Sequence, residues 1–69
     1  MSVRVTINGA ERELQAGVTL HEMLDQLGIR SRDGIAVAVN ESVVTRTRLG
    51  DYRVEEGDTI EVIQAVSGG

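Results

Sequence analysis

Side chains able to do nucleophilic or acid–base chemistry are sparse in this 69-residue chain. It has no Cys, so it offers no thiol nucleophile, no disulfide and no Cys-based metal site. Ser2, Ser31, Ser42 and Ser67 have only His21 to serve as a base, and His21 is expected to face solvent. Glu55, Glu56 and Asp58 could share a proton between carboxylates. They flank Gly57, however, and "EEGD" reads as a solvated turn. The glycines are too scattered for either phosphate-cradling motif, so no nucleotide loop is expected. One group is left, and it belongs to the main chain. The sequence ends "QAVSGG", with Gly68 and Gly69 directly after an apolar run. Such an end is either a frayed scrap or the working part.

The elements that must carry this end form a small domain. Its 7.4 kDa are built without Phe or Trp, so Val, Ile and Leu have to fill the core. Seven Arg and no Lys stand against eleven acidic residues, for a net charge of −4. That balance argues against nucleic acid, whose phosphates need a basic surface, and suits a basic protein partner. With no apolar run of membrane-spanning length and no basic-then-apolar leader, the expectation is a soluble, cytoplasmic protein away from membranes.

"VRVTING" alternates with period two and meets Asn8-Gly9, a strong hairpin turn. That turn pairs Ile7 with Ala10, Val5 with Arg12 and Val3 with Leu14, and sets Arg4 opposite Glu13. Arg12 fits the apolar face poorly, so it lies at a sheet edge or a bulge shifts the register. Thr19 and Glu22 form a capping box, with Val18 and Met23 placed as a hydrophobic staple. Leu20, Met23, Leu24 and Leu27 make one face of a helix over 20–27, and Gly28 supplies its left-handed stop, with Ile29 folding back onto Leu24. "SRDG" is loop, "IAVAV" a short strand, and Asn40-Glu41 turns it into a return strand at 42–44. Residues 45–53 show no clear period and are left as irregular or one helical turn. "TIEVIQAV" is the last strand, with Ile60 and Val62 alternating against Glu61 and Ile63. Together these make a two-layer α+β domain with a mixed sheet of four to five strands on one main helix. The expected division is a domain over 1–65 and a flexible tail over 66–69.

The order hairpin, "TLHEMLDQLG", "AVAVN", "GDTIEVIQAVSGG" resembles the ThiS family, the ubiquitin-like β-grasp sulfur carriers of thiamine biosynthesis, over essentially the whole chain. The combination of "VN" after the third strand, "GD" before the last and a terminal Gly-Gly carries the resemblance; residues 45–53 match least. It implies a carrier rather than an enzyme. A partner E1-like (ThiF-like) adenylyltransferase would use Mg-ATP to join AMP to the carboxylate of Gly69. A persulfide from a cysteine desulfurase or sulfur relay protein would then give a thiocarboxylate, and a thiazole synthase (ThiG-like) would take the sulfur. The chain itself would bind no cofactor and no metal. Val66, Ser67 and Gly68 would thread the partner's narrow site, and the glycines suit it because residues without a Cβ adopt backbone angles others cannot. An apolar patch should offset the cost of ordering the tail. Ile63, Ala36, Ala38 and Val43 are candidates for it, and the small Ala side chains would let a partner come close.

Neighbouring readings, a plain binding module apart, share the acyl-adenylate step. The small subunit of molybdopterin synthase uses the same fold, but those chains usually carry aromatics and prolines before the final glycines, and "IQAVSGG" has neither. Another ubiquitin-like sulfur carrier, a protein modifier that forms an isopeptide bond through Gly69, and a β-grasp binding module with no chemistry at its end complete the alternatives.

Overall fold

The computed structural model describes residues 1–30 and 33–64. Strands β1 (Ser2–Ile7) and β2 (Ala10–Gln15) are followed by helix α1 (Leu20–Gln26), then β3 (Ile35–Val39), β4 (Ser42–Val44), a 3-10 turn at Arg46–Arg48 and β5 (Thr59–Gln64). The sheet order is β2-β1-β5-β3-β4, five strands in all. β5 lies in the centre, parallel to β1 and antiparallel to β3. Parallel neighbours need a long crossover, which the helix and the second hairpin between β1 and β5 provide.

Asn8 (φ 51°) and Gly9 (φ 85°) both take left-handed angles, so the two-residue turn sets the β1–β2 register as expected, Ile7 to Ala10 and Val3 to Leu14. There is no bulge at Arg12, which sits opposite Val5 on the exposed edge strand. Arg4 stands opposite Glu13 as expected. It reaches diagonally to Glu11 at 3.4 Å, while Glu13 accepts the Ser2 hydroxyl.

The helix start is satisfied donor by donor. Thr19 Oγ1 accepts from Glu22 N, and Glu22 Oε1 accepts from Thr19 N at 2.8 Å. Leu20 N donates to Tyr52 O and His21 N to Leu49 O, so the stretch without a period wraps the helix N-terminus and supplies its missing acceptors. The helix ends at Gln26 with Leu27 as its cap, one residue earlier than expected. Gly28 N donates to Asp25 O and Ile29 N to Leu24 O, the paired bonds of a Schellman stop.

Leu20, Met23 and Leu24 are fully buried against Val5, Ile7, Val37, Val39 and Ile60 on one face of the sheet. Leu49 and Val54 close this core from the crossing segment, the chain between the 3-10 turn and β5. "IAVAV" is two-faced: Val37 and Val39 are buried, while Ala36 and Ala38 lie on the other side.

Candidate functional site

Asn40 (φ 51°) and Glu41 (φ 72°) turn β3 into β4 and bring Val43 opposite Ala38. Across β3, Ala36 faces Ile63 and Ala38 faces Glu61 on β5. The four residues expected to meet a partner therefore share the face of the sheet that the helix does not cover. Val43 is 73% exposed and Ile63 60% exposed, two of the three large apolar side chains left open among the described residues. The two alanines between them leave a low floor, with the Glu61 carboxylate as the charge within the patch. The β1–β2 half of the same face is polar, with Arg4, Glu11 and Glu13.

The patch lies along β5, the strand that leads into the C-terminus. Val66, Ser67, Gly68 and Gly69 lie outside the described residues, as does the expected boundary between domain and tail. The end of β5 has an attachment that sequence reasoning missed. The Asn8 side chain accepts from Val62 N at 2.8 Å through Oδ1 and donates to Val62 O at 3.3 Å through Nδ2. The turn signal at Asn8-Gly9 concealed this second use of the asparagine.

Beneath the start of β5, the Asp58 carboxylate is 5% exposed and collects three donors: Tyr52 OH at 2.8 Å, Glu55 N at 2.9 Å and Asn40 Nδ2 at 3.0 Å. Asn40 Oδ1 in turn accepts from Thr59 N. The "VN" and "GD" pairs are thus two ends of one network that ties the β3–β4 turn to β5. This corrects the solvated-turn reading of "EEGD". Glu55 and Glu56 are exposed, but Asp58 is buried and committed to the fold. Burial, followed by the hydrogen bond to Asp58, pushes the Tyr52 phenol up to about 12, so it stays protonated at neutral pH and offers no base. An open cleft of about 340 Å³ lies beside Val43, lined also by Val44, Thr45, Arg48, Asp51 and Tyr52.

His21 also departs from expectation. It is half-buried, with its ring beside Gly50, where an added Cβ would lie 3.3 Å from Cδ2. Ser31 and Ser67 lie outside the described residues, and Ser2 is engaged by Glu13. Among the described residues, no three His, Asp or Glu side chains are grouped to hold a metal, and no helix is long and apolar enough to cross a membrane.

Comparison with known proteins places this geometry. The sulfur carrier protein ThiS of Escherichia coli is 34% identical over 67 residues, covering 97% of this chain and 100% of that one. That of Thermus thermophilus is 35% identical over 65 residues, covering 94% and 98%. A thiazole synthase of Paramagnetospirillum magneticum is 33% identical over 97% of this chain, which spans only 20% of that longer protein. In three dimensions, the crystal structure of a thiamine biosynthesis protein (ThiS) from Geobacter metallireducens superposes with a TM-score of 0.81, at 23% identity, covering 97% of this chain and 100% of that one. The model of the ThiS family matches residues 5–69, and with two full-length relatives above 30% identity the chain belongs to the ThiS family.

Proposed function

We propose that this ThiS-family sulfur carrier takes up sulfur on the carboxylate of Gly69 and gives it up to thiazole synthesis. The observation that carries this reading is the reach of the family match, which runs over residues 5–69 and so includes the final glycine. A carboxylate is a poor electrophile, because its charge is delocalised and its leaving group is oxide. An E1-like adenylyltransferase with Mg-ATP supplies the activation: a carboxylate oxygen attacks the α-phosphorus, pyrophosphate leaves, and an acyl adenylate forms. A protein persulfide attacks the acyl carbon and expels AMP, and a thiol then cleaves the sulfur–sulfur bond. This leaves a thiocarboxylate on Gly69 and a disulfide on the donor.

Val66 to Gly69 reach about 13–14 Å when extended, enough to thread a site that also holds ATP. The exposed Val43, Ala36 and Ile63, with the half-buried Ala38 between them, are the surface from which this chain docks on that enzyme. A thiazole synthase as acceptor is supported by two such proteins in which a ThiS-like segment makes up 20% of the chain. Covalent joining keeps carrier and acceptor at high effective concentration.

The test is an intact mass after incubation with the adenylating enzyme, Mg-ATP and a persulfide donor. Replacement of one oxygen by sulfur, lost on deleting Gly69, is expected. No mass change with an enzyme active on its own carrier would overturn the proposal. Adding one glycine after Gly69 leaves the fold alone and displaces the reacting carbon, so it should abolish transfer.

A further inference from the structure

We infer that Asn8 is a positioning residue that pins the β1 side of β5 at Val62, just ahead of the C-terminal segment; its kinetic consequence rests on the carrier reading above. The backbone ladder between β1 and β5 is short, pairing Thr6 with Thr59 and Ile7 with Ile60. Asn8 N still donates to Ile60 O at 2.9 Å, and then Asn8-Gly9 turns the chain away into β2. The next residue of β5 that faces β1 is Val62, and no strand remains beside it. The Asn8 side-chain amide fills that place. It presents one acceptor and one donor to Val62 N and Val62 O, standing in for the two residues of a parallel neighbour that would otherwise bond them. The stretch Val62–Gln64 is held on its other side by β3, where Val37, Ala36 and Ile35 pair with it. With the amide clasp it is held on both sides at Val62; without it, on one.

The clasp's place gives it a role beyond stability. Val62 is seven residues before Gly69 and adjoins Ile63, the apolar anchor of the exposed patch. A carrier whose reacting carbon lies at the chain end must leave its domain at a defined point. Each further residue free before docking must be ordered during it. The turn and the clasp use different parts of the same residue. The left-handed φ of Asn8 makes the turn, and its amide makes the clasp. Glycine can supply the first without the second.

The experiment compares the full chain with Asn8→Gly and Asn8→Asp. Asn8→Gly keeps the turn and removes both side-chain bonds, while Asn8→Asp keeps the acceptor for Val62 N. In Asn8→Gly, amide exchange at Val62 should quicken about tenfold more than at Val5, which sits in the β1–β2 ladder. Asn8→Asp should fall between Asn8→Gly and the parent. With the adenylating enzyme, KM for the Asn8→Gly carrier should rise about tenfold, the cost of re-ordering a strand end left paired on one side only, with kcat unchanged. A general loss of stability would quicken exchange everywhere and leave KM alone at temperatures where the variant is folded. Unchanged exchange at Val62, or unchanged KM once the clasp is lost, would overturn the inference. If the parent chain is not adenylated at all, the carrier mechanism fails and the positioning role fails with it. If only the variant behaves like the parent, the mechanism stands and Asn8 is merely a turn residue.

Discussion

Asp58 shows how a single residue is committed by its neighbours. Its carboxylate serves a hydroxyl, an amide side chain and a main-chain N–H at once. Asp58→Ala strips all three donors of their partner and should cost about 3 kcal/mol in denaturant unfolding. Tyr52→Phe removes one bond and should cost about 1 kcal/mol. The two variants also differ from the parent in alkali. The Tyr52 phenol is raised from 10 to about 12 in the folded chain, so the protonated phenol stabilises the fold fully below pH 10. That contribution is lost as pH climbs through 12, because the folded phenol must then ionise inside the network. Unfolding midpoints measured between pH 9 and 12 should fall in the parent chain and be flatter in Tyr52→Phe.

Helix α1 is short and depends on both of its ends. A helix of seven residues is not stable alone in water, so its caps and its buried face decide whether it forms. Thr19→Ala should cost about 1 kcal/mol by thermal unfolding. At the other end, nothing lies within 4 Å of a Cβ added at Gly28, but its φ of 83° is unfavourable for any other residue. Gly28→Ala should therefore cost about 1–2 kcal/mol through the backbone alone. The Glu22 carboxyl is held below its ordinary 4.5, first by the Thr19 backbone bond and then by the Thr19 hydroxyl. A depressed carboxyl stabilises the fold above its ordinary value and ceases to do so as pH falls through the folded one. Helicity followed by circular dichroism should thus drop on acidification below about pH 4.5, and less so in Glu22→Gln. The buried face weighs more heavily. Leu24, fully buried, should cost about 2–5 kcal/mol as Leu24→Ala, enough to unfold much of so small a domain at 37 °C.

The assembled molecule separates a packed face from an open one. The helix and the crossing segment cover one side of the sheet, and the other side presents Val43, the two alanines and Ile63 beside the strand that leads to the terminus. Because Val43 and Ile63 are mostly exposed, Val43→Thr and Ile63→Thr should leave the melting temperature within a few degrees of the parent. The same changes remove apolar contact from the proposed docking surface, and should lower kcat/KM for adenylation about tenfold each. A melting temperature that falls with the activity would instead place these side chains in the fold.

Local patterns, each contained in a few neighbouring residues, carried much of this protein from the start. The Asn8-Gly9 turn set the hairpin register, Thr19 with Glu22 set the helix start, and Gly28 set its stop. All three act through φ preferences and hydrogen bonds between near neighbours, so composition and spacing suffice to see them. The resemblance of the whole order to one family rested on the same local signals joined to a terminal Gly-Gly. Contacts between distant segments stayed hidden until the chain was folded. Leu49 and Val54 enter the core from a stretch with no period, because each is placed by bonds to the helix start and not by a repeat of its own. Asp58 looks like any turn acid until Tyr52 and Asn40 are brought to it across the domain. Asn8 reads as a turn residue until β5 arrives beside it from more than fifty positions away. A polar side chain advertises its backbone preference in the sequence, but its hydrogen-bond partner is known only when packing has closed the distance.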